Sequence, residues 1–347
     1  MNSLSIVFQG PVLRNGTLCN QVIDNIIRTR AVFPQSEIIV STWFCAVEQE
    51  RALFSRMKKV NVKVILSKDP GPIIGKDCSG EWITNLNRLL ISSWSGLQIV
   101  TRPLTVKLRT DTCLYGRSIE SLLERYVLAD EGPARDEAYR VFKKRVINCS
   151  WFARDAEGSL PYLFHPGDIF LAGLTEDVRL FFCAPLATPE LFSPSSMPGL
   201  WCAWRYVPEQ WFWIYAIRQV KGKMEYEGNF SYTPTHIESS ERYFLANFVP
   251  FSSKALQFYW QKYYRRYPLR GLFSLYTHSR WLRLAARYDG KVQSGFFAKA
   301  DGVLTSVWRR GYILRVWIMR VPLIRRMARK LFVHRKNNGD EHQHEHS

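Results

Sequence analysis

The chain has 347 residues, 46% of them hydrophobic and 22% charged. That is enough apolar material for one large or two ordinary cores, and it excludes a disordered, collagen-like or coiled-coil chain. Seven cysteines without a C-x-x-C pair exclude a disulfide scaffold and point to reduced thiols in a cytosol. The formal net charge of +18 is unevenly placed: residues 254–336 hold 20 of the 48 Lys and Arg against two acids, Asp289 and Asp301, and the remainder, with 28 of each sign, is neutral.

The first residues carry no basic leader followed by a long apolar run, so no secretory signal is expected. A buried strand is predicted over residues 5–8, ending in Gln9-Gly10-Pro11. A helix is predicted over 17–31, with Val22, Ile23, Ile26 and Ile27 on one face. Further strands are predicted at 37–42, 62–66 and 105–108, with a helix near 81–95. A turn and an apolar strand follow at 164–173, then a helix opened by Thr175-Glu176-Asp177, whose acids read as capping residues, and another opened by Pro208-Glu209-Gln210.

Strands alternating with helices predict β-α-β units and a mostly parallel sheet. Ligands of such sheets bind outside the carboxyl ends of the strands. Four predicted strand ends carry polar residues there: Gln9 and Gly10, Ser41 and Thr42, Lys68 and Asp69, Arg109 and Asp111. No G-x-G-x-x-G, P-loop, G-x-S-x-G or zinc-spaced His/Cys cluster is present, which argues against a Rossmann dinucleotide site, a P-loop NTPase and an α/β-hydrolase.

Seven segments in order carry a resemblance. They are S-I-V-F-Q-G-P (5–11), S-E-I-I-V-S-T-W (36–43), L-S-K-D-P-G (66–71), N-L-N-R (85–88), V-K-L-R-T-D (106–111), F-H-P-G-D-I-F-L-A-G-L-T-E-D (164–177) and R-Y-V-P-E-Q (205–210). Over roughly residues 4–220 the chain resembles the WavE-type lipopolysaccharide synthesis family of glycosyltransferase-like proteins. The resemblance implies a GT-A-like α/β fold, with a mostly parallel sheet flanked by helices. It also implies a nucleotide-diphospho-sugar donor and a lipid-linked saccharide acceptor; with the reduced thiols and the basic C-terminal segment, the expected location is cytoplasmic, peripheral on the bacterial inner membrane.

In GT-A enzymes a D-x-D motif usually holds Mg²⁺ or Mn²⁺ on the donor diphosphate, and hard cations take carboxylate oxygens. Here the position reads Arg109-Thr110-Asp111. Two readings stay open: Asp111 ligates the metal alone, or Arg109 pairs with phosphate or with Asp111. Gly10 lets the backbone approach a nucleotide, and Gln9 and Asp69 sit at strand ends suited to the base or ribose. Asn85, Asn87 and Arg88 are assigned to a donor-contacting helix, where a guanidinium fork suits a diphosphate. Asp168 and Glu209 are the candidate catalytic carboxylates for an inverting transfer, Asp168 preferred, with His165 and Arg205 on the acceptor side.

Three regions are predicted: a transferase domain over 1–250, a basic, aromatic-rich helical segment over 251–336, and a disordered tail over 337–347. Basic amphipathic helices carrying Trp and Leu bind anionic membrane surfaces. A nucleic-acid partner is disfavoured, because no helix-turn-helix, zinc-finger or RNP pattern is visible. A non-catalytic polysaccharide-assembly protein is the rival function, prompted by Arg109 in the D-x-D position.

Overall fold

The computed structural model describes residues 3–77, 80–158, 162–191, 205–229, 232–264 and 274–290, with scattered residues between 300 and 328. The tail at 337–347 and most of the basic segment beyond Gly290 lie outside the described residues.

The chain runs β1 (Leu4–Gln9), a small hairpin β2 (Leu13–Arg14) and β3 (Thr17–Leu18), α1 (Asn20–Val32), β4 (Glu37–Trp43), α2 (Val47–Lys59) and β5 (Lys63–Ser67). A second hairpin, β6 (Ile73–Asp77) and β7 (Gly80–Thr84), leads to α3 (Leu86–Gln98), β8 (Leu104–Arg109), β9 (Thr112–Leu114) and α4 (Ser118–Leu123). Then come β10 (Val146–Cys149), β11 (Leu171–Leu174), α5 (Thr175–Phe181), α6 (Pro208–Lys221), α7 (Pro234–Asn247), β12 (Phe248–Phe251) and β13 (Phe258–Trp260).

Seven strands form one sheet in the order β12-β10-β11-β8-β1-β4-β5. The β8-β1-β4-β5 half is parallel, and β11 runs antiparallel between β8 and β10. All six residues of β1 are buried, as a central parallel strand covered on both faces requires. The architecture is the α/β class expected, and the four N-terminal strands fall where periodicity puts them. Among the described residues no helix is long and apolar enough to cross a membrane.

Three local features position the ligand-facing end. Gln9 and Arg109 are register partners, so the ends of β1 and β8 lie side by side. Gly96 lets α3 lie directly on the sheet, because a Cβ there would stand 2.6 Å from Val7 Cγ1 and 2.9 Å from Ser41 Cβ. Leu171 pairs with Lys107, which carries the turn ahead of β11 alongside the middle of β8.

Some expectations shift. The helix expected near 81–95 begins only at Leu86, because residues 80–84 pair with β6 as a hairpin. The helix expected from residue 17 starts at Asn20, since Thr17 and Leu18 pair with β2. Glu176 and Asp177 do not serve their own helix alone: Asp177 accepts from the Lys143 and Lys144 amides at 2.8 and 2.9 Å, and Glu176 pairs with Lys143. The division placed near residue 250 falls inside β12, which pairs with β10. Beyond it, β13 pairs with β9, and the helix His278–Tyr288 packs on β12 and α7 with Trp281 and Leu284 buried.

Candidate functional site

A cleft of about 360 Å³ opens at the carboxyl ends of β8, β1, β4 and β5, lined by Gln9, Gly10, Trp43, Asp69, Asn85, Arg88 and Arg109 among others. This is the place where an open parallel sheet binds ligands. Gly10 lines it with φ +123°, a conformation that favours glycine, and a Cβ there would meet Thr110 Oγ1 at 3.2 Å. Buried Gln9 accepts from the Ser92 hydroxyl at 2.8 Å, which ties β1 to α3.

Two bidentate Arg–Asp pairs stand at this end. Arg88 Nε and Nη2 donate to the two oxygens of Asp69, both at 2.7 Å, while its Nη1 donates to Asn85 at 3.0 Å. The Arg88 hydrogen bonds hold the Asp69 carboxyl below its usual range. Arg109 Nε and Nη2 donate to Asp111 at 2.9 and 3.1 Å. The Trp260 indole N–H donates to Asp111 Oδ2 at 3.0 Å, and the Arg109 guanidinium lies over the Trp260 ring at 4.9 Å.

These residues do not fit a divalent cation as they stand. Both oxygens of Asp111 are taken by Arg109, one of them also by Trp260. Among the described residues no group of three His, Cys, Asp or Glu side chains could hold a metal ion.

Behind Arg109 on the same face of β8 lies a buried ionic cluster. Lys107 has no exposed surface; its Nζ donates to the Asp168 carbonyl at 2.7 Å, stands 3.5 Å from Asp168 Oδ2 and lies over the Phe182 ring at 5.0 Å. Burial lowers its pKa to about 8, against the pull of the Asp168 carboxylate. Burial, and then the neighbouring Asp168 carboxylate, push Glu209 up to about 7. His165 Nε2 lies 3.5 Å from Glu209 Oε2, and burial, with Arg154 nearby, takes the imidazole down to about 3, so it is neutral at physiological pH. Asp168 Oδ2 and His165 Nδ1 are buried without a hydrogen-bond partner among the described residues. A buried carboxyl raised to about 7, as Glu209 is, can give or take a proton near neutral pH.

Of the eight residues assigned to the donor, six line the cleft: Gln9, Gly10, Asp69, Asn85, Arg88 and Arg109. Asp111 stands beside it, bonded to Arg109. Asn87 turns elsewhere: its amide donates to the Ala187 carbonyl and accepts from the Ala187 N–H. Asn85 is the residue ahead of α3 rather than within it. Asp168, Glu209 and His165 are brought together; exposed Arg205 lies over Tyr206 and donates to the Glu227 carbonyl. Sequence reasoning missed Trp43, Ser92, Lys107 and Trp260. Trp43 had a signal, an aromatic at the end of a predicted strand. Trp260 had none, being 149 residues from Asp111.

A comparison with curated protein sequences finds no match. Among solved structures, the galactosyltransferase LgtC with donor and acceptor sugar analogues is 11% identical, covering 83% of this chain and 100% of that one at a TM-score of 0.34. Staphylococcus aureus TarS residues 1–349 are 8% identical, covering 96% of this chain and 91% of that one at 0.33. A cytidylyltransferase from Leptospira borgpetersenii is 14% identical at 0.30; the match covers 53% of this chain and 64% of that one, less than two thirds of its length. These likenesses are loose. The WavE lipopolysaccharide synthesis family matches residues 4–288, and the chain belongs to that family.

Proposed function

We propose that the chain is a glycosyltransferase that moves a sugar from a nucleotide-diphospho-sugar to a lipopolysaccharide or related surface-polysaccharide acceptor. The observation that carries this reading is the convergence of Gln9, Gly10, Asp69, Asn85, Arg88 and Arg109 on one strand-end cleft, next to a buried carboxyl pair. Trp43 offers its ring to the nucleobase, and Gly10 lets the ribose side approach the backbone. The diphosphate meets Arg88 and Arg109, which leaves the sugar beside Asp168. An acceptor hydroxyl then attacks the anomeric carbon, the bond from that carbon to the diphosphate oxygen breaks, and the hydroxyl proton passes to a carboxylate. Asp168 Oδ2 suits that task because it is a buried acceptor held by the Lys107 ammonium at 3.5 Å, with no closer hydrogen-bond donor among the described residues.

The basic segment fits an acceptor embedded in a membrane. Val303, Val307, Leu314, Leu323 and Met327 are exposed apolar residues within a region rich in Arg and Lys, and each cation near an anionic lipid surface contributes about 1 kcal/mol.

The test is calorimetric titration of the folded protein with a panel of nucleotide-diphospho-sugars. One nucleotide class is expected to bind, and Trp43→Ala is expected to weaken it by roughly tenfold, the scale of a lost base–aromatic stack. A folded chain that binds no member of the panel would contradict the enzyme reading and favour the assembly protein.

A further inference from the structure

We propose that the diphosphate of the donor is clamped by the Arg88 and Arg109 guanidiniums directly, with no divalent cation between protein and phosphate. This rests on the donor reading above.

The geometry of the two pairs leads to it. Each arginine engages its aspartate side-on, through Nε and Nη2. A guanidinium has five N–H groups in a fixed fork, so the side-on contact leaves the end-on edge, Nη1 with the outer hydrogen of Nη2. Among the described residues Arg109 Nη1 makes no hydrogen bond, and Arg88 Nη1 makes one, to Asn85. Both arginines line the cleft, and their side chains keep 32% and 34% of their surface. That edge matches two phosphate oxygens bidentately.

The carboxylates have the opposite character. Asp69 gives both oxygens to Arg88 and one also to the Gly71 amide at 2.9 Å. Asp111 gives both to Arg109 and one also to Trp260. A cation entering here would compete with the charge-assisted bonds that each carboxylate already makes. In their present arrangement the acids act as orienters, fixing two cations before the ligand arrives. The Trp260 ring under Arg109 adds to that order, and a guanidinium held in place loses less freedom on binding.

The test is calorimetry with uridine, cytidine, guanosine and adenosine diphosphates as probes, in excess EDTA and again with Mg²⁺ or Mn²⁺. The matching nucleoside diphosphate is expected to bind in EDTA, with an affinity that added metal changes by less than about threefold. Arg109→Ala is expected to weaken binding in EDTA by roughly tenfold or more while leaving the affinity for the bare nucleoside unchanged, and Arg109→Lys is expected to recover only part of the loss. Binding that appears only with metal and disappears in Asp111→Asn would overturn the clamp and leave the donor reading intact. An Arg109→Ala protein that binds as the parent does in EDTA would overturn it as well. A folded protein that binds no diphosphate in either condition would remove the donor reading and the clamp together.

Discussion

Lys107 occupies the middle of a central strand, where an unpaired ammonium would be strongly destabilising. Its partners explain it: the Asp168 carbonyl at 2.7 Å, the Asp168 carboxylate at 3.5 Å and the Phe182 ring. In V-K-L-R the residue reads as one polar interruption of a strand, and nothing local marks its partner 61 residues away. Asp168 and Glu209 were legible because both stand beside turns or helix starts, yet the meeting of Asp168 with Lys107 depends on the antiparallel return of β11. Under the proposed transfer, Lys107, the cation that holds Asp168, is a positioning residue. Turnover is expected to fall as pH rises through about 8, where its ammonium discharges. Lys107→Met is expected to lower turnover at neutral pH by roughly tenfold or more and to erase that alkaline limb, with donor KM little changed. A rate–pH profile in which the variant keeps the limb would show that Lys107 only packs.

Helix His278–Tyr288 illustrates what an element gains from distant chain. Its arginines read in the sequence as part of a basic surface. Instead, Arg280 pairs with Asp155 at 2.9 Å and Glu157 at 3.3 Å, and Arg287 pairs with Glu157 at 3.1 Å and with buried Glu241, which also accepts from the Tyr288 hydroxyl at 2.6 Å. Periodicity finds β1, β4, β5 and β8 because each is a compact apolar run. It does not find the β2–β3 and β6–β7 hairpins, or this docked helix, whose acids lie up to 130 residues upstream.

The docking has a pH signature. Burial raises Glu241 to about 7 from its ordinary 4.5, with Arg287 opposing. A carboxyl raised in the folded state binds its proton more tightly there than in the unfolded chain, so stability is lost as pH rises from about 4.5 to about 7. The full effect amounts to as much as about 3 kcal/mol. Glu209 contributes in the same window with the same sign. Glu241→Gln is therefore expected to flatten part of the decline in urea midpoint between about pH 5 and about pH 7.5. An undiminished slope in the variant would contradict the assignment.

At the scale of the molecule, charge and chemistry are separated along the chain. Residues 254–336 carry the whole excess of +18 over a neutral remainder, while the cleft and the carboxyl cluster are built almost entirely from residues 9–209. Trp260 comes from beyond that range and reaches back across β13 and β9 to hold Asp111. The charge shift was plain in the sequence because counting suffices. The end of the packed body was not, because the contacts of β12, β13 and helix His278–Tyr288 are non-local, and packed structure continues well past residue 250.

Sugar transfer at this site would be read from release of nucleoside diphosphate from the nucleotide sugar that binds, with and without a lipid-linked saccharide acceptor in anionic vesicles. Acceptor-dependent release by the parent protein, reduced by roughly a hundredfold or more in a folded Asp168→Asn variant, is the expected result. A protein that binds the donor but releases nothing with any acceptor, or an Asp168→Asn variant that turns over as the parent does, would contradict the account.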